Sequence, residues 1–469
     1  MIENKQPLSD FDGLPSSKPI DAQELAAEEK WLDEQASRPA YKRAFAFLRK
    51  GGPGYLQSAL TLGGGTAATM LFAGAAFGYG LLWVAPVSMV LGIIMMSAIA
   101  HQTLSTGLRP YAAMRRFAGP VFAYGFAGGA VLSSIIWHFA QYSLGAAVIA
   151  DMGDAAGVDI SNAVAGAMIL AVAIAWSFLY GRAGKAITIF ENSLKVLVWG
   201  IVACFGLVVF KTGIADPKAL ASGLIPFQFP ESVNGVSATT VVVGGLAAAV
   251  GANMLFLYPY TLLARGWGRK HRQLAQFDLL AGMMLPYLLA TALMCIATAN
   301  AFYYGELEFS GTRLSPVEAA QALASVVGDG LGRWIFNLGI LGMAVSSIIL
   351  QMVCCGFVAT EVFGTKFGSA KYRLACLIPA PGVLGAILWT DIALWVAVPT
   401  TLLCGFMLPI AYLGLIKLQF NKKYLGEDRP QGAKATAWVG GMIFSTLTLT
   451  VFLVWYAITK GPAFFERLS

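Results

Sequence analysis

Three consecutive glycines and a threonine, Gly63-Gly64-Gly65-Thr66, stand inside an apolar stretch running from about Pro53 to Phe77. Each glycine costs a helix roughly 1 kcal/mol against alanine, so the stretch is expected to unwind there into two half-helices. A helix that restarts after such a break presents unbonded N–H groups at a positive dipole end, and the half that stops presents carbonyls. Within a membrane, interruptions of this kind receive small ions or small solutes. A second run with the same potential is Leu255-Phe256-Leu257-Tyr258, after Gly244, Gly245 and Gly251 and ahead of Pro259. Proline removes a helical hydrogen bond and clashes with the preceding turn, so these four residues are read as the second unwound stretch. Gly63–Thr66 and Leu255–Tyr258 together are the expected substrate-binding residues.

Other polar groups in apolar surroundings extend the list. His138, between Trp137 and Gln141, is read as part of a proton path, because an intramembrane histidine is costly and titrates near neutral pH; the alternative is a hydrogen-bonded packing residue. Glu191 lies four residues before Lys195, on one helical face, and either pairs with it or joins the proton path. Ser346, Ser347, Gln351 and Thr401 are read as lining a cavity or as gluing helices together. Met343, Met352 and Met407 are expected to pack, and Glu361 to end a helix in solvent. The six cysteines all fall in apolar stretches and read as buried thiols. Only three histidines are present, His101, His138 and His271, and none pairs with a carboxylate at helical metal-binding spacing. No phosphate-binding loop or nucleophile elbow occurs. The chain is therefore not expected to be an enzyme or to hold a cofactor, and no set of metal ligands is assigned.

These residues must be positioned by membrane helices. Of 469 residues, 57% are hydrophobic and 12% charged, and the mean hydropathy is +0.67; a soluble chain carries about twice that charge. Eleven crossings are expected, at about 53–77, 81–104, 119–150, 160–181, 187–210, 238–263, 277–303, 334–361, 372–390, 392–416 and 436–459. Alternate loops carry the positive charge: Arg109, Arg115 and Arg116; Arg182 and Lys185; Arg265, Arg269, Lys270 and Arg272; Lys366, Lys371 and Arg373; Lys417, Lys422 and Lys423. The intervening loops hold acids such as Asp151, Asp154, Asp159, Glu306, Glu308 and Asp391. That asymmetry places the chain in the plasma (inner) membrane as a multi-pass protein, N-terminus in the cytoplasm and C-terminus outside. The net charge of +7 reflects these loops and not a nucleic-acid partner; the expected partners are the bilayer, a small ion or small molecule, and a coupling proton or sodium ion. Residues 1–50 read as a cytoplasmic leader without a cleaved signal peptide, with a helix opened by Asp21-Ala22-Gln23-Glu24. Ser315-Pro316-Val317-Glu318 reads as a helix start in an outer loop.

Crossings one to five and six to ten are equal in number and opposite in orientation, as an inverted repeat requires. The transporter domain then spans 51–469, with repeat one at about 51–211, repeat two at about 238–416 and an extra helix at about 436–459.

The segment Gly52-Pro53-Gly54-Tyr55-Leu56-Gln57-Ser58-Ala59-Leu60-Thr61-Leu62-Gly63-Gly64-Gly65-Thr66 resembles the first transmembrane helix of the Nramp metal-transporter family. The resemblance continues through Ala73–Trp83 and recurs in Gly342–Ser347, Arg373–Pro379 and Phe406–Pro409. It implies an all-α, leucine-transporter-type fold of two inverted five-helix repeats, alternating access, and proton-coupled uptake of a divalent metal such as manganese or iron. The family's ligands are changed, however. Its first-helix Asp-Pro-Gly-Asn falls on Gly63-Gly64-Gly65-Thr66, and its sixth-helix Met-Pro-His on Leu255-Phe256-Leu257, so the carboxylate and the metal-selecting thioether are both missing. Two cargoes remain open. One is a divalent cation, hydrated as magnesium commonly is. The other is a small organic solute whose carboxylate sits on the glycine-rich half-helix start, against an apolar wall of Phe256, Leu257 and Tyr258. A membrane protein that moves nothing is disfavoured, because the breaks would be costly and idle.

Overall fold

Among the described residues, ten helices are long and apolar enough to cross a bilayer, and a bent helix pair supplies an eleventh crossing. The computed structural model describes residues 22–180, 185–233, 237–307, 309, 314, 319, 331–390 and 400–466. Helix α1 (Ala22–Ala36) and α2 (Ala40–Leu48) precede the bent pair α3 (Pro53–Thr61) and α4 (Gly64–Phe77), which meet at 55°. There follow α5 (Val84–Thr106), the short α6 (Pro110–Ala113), α7 (Pro120–Ala155), α8 (Asn162–Tyr180), α9 (Lys185–Thr212) and α10 (Pro217–Gly223). The sixth crossing is again two pieces, α11 (Ala238–Ala248) and α12 (Ala252–Ala264). The seventh joins α13 (Arg272–Asp278) to α14 (Leu285–Thr298) through a wider turn at Leu279–Met284. The eighth is α15 (Leu331–Phe363). The ninth, expected as one helix, is interrupted: α16 (Ala370–Cys376) and α17 (Gly385–Leu388) flank a tight turn holding Pro379 and Pro381, neither of which can donate to a helical ladder. The tenth ends in α18 (Leu408–Phe420); α19 (Lys422–Leu425) leads to the last crossing, α20 (Gly432–Glu466).

Burial sorts these helices. The α11–α12 crossing and α15 are almost wholly covered by neighbours, whereas α8, α9 and α20 turn most of their apolar side chains outward, as lipid-facing helices do. The long helices α7 and α15 pack against each other, and α15 is tied at both ends. At one end, Arg333 Nε donates to Asp151 Oδ2 at 2.8 Å and Asn337 Nδ2 to the same oxygen at 2.5 Å. At the other, Arg109 pairs with Glu361 at 3.2 Å. Glu361 is therefore not a solvated helix end: its side chain is only 3% exposed. Burial of one partner without the other would leave an uncompensated charge, so these pairs hold α15 against α7 at one end and against the segment before α6 at the other.

The loops group as an odd–even topology demands. Arg272 reaches Ser105 and Asp428 at 3.0 and 2.9 Å, and His101 Nε2 meets the Asp428 carbonyl at 3.0 Å, so the 2–3, 6–7 and 10–11 loops share one end. Helix α1 docks there too, through Lys270 to Asp33 at 2.8 Å and through Trp31 against Phe47. At the opposite end the Tyr79 hydroxyl bonds to Asn300 and accepts the Ala215 N–H at 3.0 Å, joining the 1–2, 5–6 and 7–8 loops. Asp21, Ser315–Glu318 and Asp391 lie outside the described residues.

Candidate functional site

The first break is narrower than the glycine run. Leu62 (φ −78°, ψ 44°) and Gly63 (φ −89°, ψ −179°) leave helical geometry, and α4 restarts at Gly64. Gly64, Gly65 and Thr66 thus form the first turn of α4, and the unwound backbone is Leu62-Gly63. Three bonds explain why the helix recovers so soon. Gly64 N–H donates to Gln141 Oε1 at 3.0 Å, Ala67 N–H to the Gly63 carbonyl at 3.1 Å, and Thr66 Oγ1 to the Thr61 carbonyl at 2.6 Å across the break. Glycine is required at position 65 for space: a Cβ there would lie 1.9 Å from Trp137 Cη2 and 2.6 Å from Thr401 Oγ1. The end of α3 is held as well, with the Ala59 carbonyl accepting from Ser346 and Ser347 at 3.4 and 3.3 Å.

The second break lies at Ala249–Gly251, one turn before the expected place. Gly251 is extended (φ −96°, ψ 162°), and α12 runs without interruption from Ala252 through Pro259. Leu255, Phe256, Leu257 and Tyr258 are helical and fully buried, not unwound. Phe256 packs against Phe126 and Tyr260 with ring centroids 5.1 and 5.5 Å away, and Tyr258 donates to the Ala275 carbonyl at 3.3 Å. Pro259 loses one bond in a helix that packing holds on all sides. At the break itself, by contrast, Met254 N–H is taken by Asn253 Oδ1 at 2.9 Å and Gly251 N–H by Met254 Sδ at 3.4 Å. A thioether does stand at this break, three residues beyond Gly251 and not at Leu255. The two breaks are joined directly, Thr61 Oγ1 donating to the Ala249 carbonyl at 2.5 Å.

Between them lies a hollow. It is lined by Thr61, Gly63, Gly65 and Thr66 from the first crossing, by Gly251, Asn253 and Met254 from the sixth, by Trp137 and Gln141 from α7, and by Gln351 from α15. Ser347 and Thr401 stand behind the glycines instead of on its surface, and Leu255–Tyr258 are absent from it. No charged side chain lines it among the described residues. Its field comes from backbone: the carbonyl ends of α3 and α11 meet the N–H ends of α4 and α12. Gln351 is 3% exposed, and its side chain meets the His138 ring. Beside it His138 is fully buried, with Nδ1 donating to the Ser134 carbonyl at 2.9 Å and the ring within hydrogen-bonding reach of Gln351. Glu191 belongs to α9, in a stretch whose side chains are outside the described residues, while Lys195 Nζ donates to the Gly51 carbonyl at 3.5 Å. Among the described residues, no group of three or more His, Cys, Asp or Glu gathers that could hold a metal ion.

The residue missed by sequence reasoning is Gln141, which caps the restarted half-helix. Its advance signals were its polarity on a largely apolar helix and its spacing to Trp137 and His138. Also missed was Asp278, which is buried and takes the N–H groups of Gly52 and Gly54 at 2.8 and 2.6 Å, so that it caps α3 from another helix.

Two interrupted crossings facing each other inside a many-helix membrane bundle define a membrane transporter with a leucine-transporter-type fold. The chain belongs to the Nramp family: residues 54–456 match the family described as natural resistance-associated macrophage protein-like. It is 25% identical over 434 residues to a divalent metal cation transporter MntH of Agrobacterium fabrum, covering 88% of each chain. It is 24% identical over 431 residues to the divalent metal cation transporter MntH 1 of Pseudomonas aeruginosa, covering 86% of this chain and 91% of that one. In fold it resembles a crystal structure of the Eremococcus coleocola manganese transporter, with a TM-score of 0.72 at 16% identity over 90% of both chains. It also resembles Mhp1, a nucleobase-cation-symport-1 family transporter, with a TM-score of 0.55 at 13% identity over 87% of this chain and 92% of that one.

Proposed function

We propose that this chain moves a divalent metal cation by alternating access, holding it with neutral oxygens while part of its water shell is retained. Family membership and the names of its relatives supply the metal. The observation that carries the mode of binding is the hollow at the two breaks, polar but uncharged. A divalent ion stripped of water in a low-dielectric cavity without a counter-charge is very costly. An ion that exchanges only some waters for Gln351 Oε1, Asn253 Oδ1, Thr66 Oγ1 and half-helix carbonyls avoids most of that cost, as magnesium sites do. The enclosed part of the hollow admits about one or two water-sized spheres. That space favours a small ion over a carboxylate-bearing solute of amino-acid size. The solute reading keeps one support: the N–H groups of Gly65 and Thr66 open α4 beside the hollow, although Gly64 N–H is already taken by Gln141.

A thermal-shift screen of the full chain separates the two cargoes, since a ligand of the native state raises stability by mass action. Mn²⁺ or Mg²⁺ at millimolar concentration is expected to raise Tm, with amino acids and small carboxylates inert. Stabilisation by the organic acids alone would reverse the assignment.

Coupling to protons through His138 is part of the proposal. Its imidazole stands beside Gln351, which lines the hollow. His138→Ala is expected to flatten the pH dependence of uptake into proteoliposomes while leaving uptake measurable. An unchanged pH profile would remove His138 and direct attention to a sodium gradient. The chain is placed in the plasma membrane with the leader at about 1–50 cytoplasmic and the C-terminus outside. Repeats at about 51–211 and 238–416 are followed by the extra helix at about 436–459. The clustering of the basic 2–3, 6–7 and 10–11 loops at one end supports that orientation.

A further inference from the structure

Helix α2 has two faces of different use. Phe47 is 4% exposed and packs on Trp31 and Phe277, with centroids 6.0 and 5.7 Å away. On the opposite side Tyr41, Phe45 and Leu48 are 64%, 71% and 51% exposed. Their spacing of four and three residues makes one continuous stripe. Lys42 and Arg49 flank that stripe on one side of the helix wheel, and neither has an acidic partner among the described residues. Lys42 Nζ lies 6.0 Å from the centre of the Tyr41 ring. An apolar stripe with an adjoining basic edge on a short helix is how chains lie in a membrane interface. The position agrees: four residues, Arg49–Gly52, separate α2 from α3, where the first crossing starts.

We propose that α2 lies along the cytoplasmic leaflet, with Tyr41, Phe45 and Leu48 in the boundary between headgroups and acyl chains and with Lys42 and Arg49 on the phosphates of anionic lipid. The leaflet named rests on the orientation proposed above; the lipid contact does not. The stripe gives the apolar contact and the unpaired cations give the preference for negative headgroups, since such charges are drawn to anionic leaflets. Because α2 runs almost directly into α3, this contact also fixes where the cytoplasmic half of the first crossing begins.

The test uses the full chain in a Cys204→Ser background, the other cysteines being buried. A nitroxide is attached at Phe45→Cys or, as a water-facing control, at Glu34→Cys. Vesicles are phosphatidylcholine alone or with a third phosphatidylglycerol. In the mixed vesicles the ratio of oxygen to water-soluble nickel relaxation at position 45 is expected to exceed that at position 34 at least fivefold. Lys42→Glu with Arg49→Glu is expected to bring it down severalfold. A label at position 45 as water-accessible as the control in both vesicles would overturn the assignment. So would protection from both reagents, which would mean that protein covers the stripe. Equal burial in neutral vesicles would overturn the role given to anionic headgroups.

Discussion

Replacing Asp278 by alanine is expected to release α3, the first half of the first crossing, and to abolish most transport. The carboxyl group of Asp278 takes two N–H groups at the start of α3, from Gly52 and Gly54, and Arg265 and Lys195 surround it with positive charge. Hydrogen bonds to a charged acceptor are worth about 1.5–3 kcal/mol each. Removing both leaves two buried N–H donors unsatisfied, a loss of about 3–6 kcal/mol from the docked position. At about 1.4 kcal/mol per factor of ten, the docked and undocked populations shift by at least a hundredfold. The readout is a cysteine at Ser58, which is fully buried on α3. Membrane-impermeant maleimide added from the side on which α3 begins should label Ser58→Cys at least tenfold faster in Asp278→Ala, whereas Asp278→Asn, which keeps one acceptor oxygen, should fall between. Equal labelling in all three proteins would show that α3 does not depend on this cap. A general loss of fold would instead expose the rest of the bundle as well, so a second probe at Ser133, fully buried in α7, is expected to stay unreactive.

The contrast between what the chain declares locally and what it hides is clear at this position. The crossings, the charge alternation and the glycine break were all legible, because each is a property of neighbouring residues: apolar length, basic loops, and three residues without a Cβ. Asp278 was not legible, since its partners are 226 and 224 residues away. Glu361 was misjudged for the same reason; it sits at a helix end, but Arg109 covers it. The sixth crossing misled in a different way. Pro259 is the strongest local helix breaker there, yet α12 passes through it, and the weaker signal of Gly251 followed by Asn253 marks the interruption. Proline removes one bond from a helix that neighbours still grip, whereas the break at Gly251 is stabilised from within by Asn253 and Met254. Gln141 could have been suspected from its spacing to Trp137 and His138, but its role depends on how α7 crosses α4.

Restoring a carboxylate at Gly63 is expected to fail alone and to succeed only when Gln141 is shortened. The backbone at Gly63 has a negative φ that any residue adopts, so conformation is no obstacle. Space is the obstacle. A Cβ at this position would lie 2.7 Å from Gln141 Nε2, 2.9 Å from Ser347 Oγ and 3.2 Å from the Leu60 carbonyl. Gln141 has the flexible tip that can yield, and yielding breaks its bond to Gly64 N–H. Gly63→Asp alone should therefore lose about 1–3 kcal/mol of stability through overpacking and the lost cap, with no gain in metal affinity. Gly63→Asp with Gln141→Ala empties that volume, and the new carboxylate then faces Asn253 and Met254 across the hollow. A charged oxygen there supplies the counter-charge that the native site lacks, so Mn²⁺ binding by calorimetry is expected to tighten at least tenfold, about 1.4 kcal/mol. Tight binding by the single variant would mean that Gln141 does not guard the position. Binding by the double variant no tighter than by the native chain would mean that the hollow is not where the cation sits, because a carboxylate within it could not then fail to attract one.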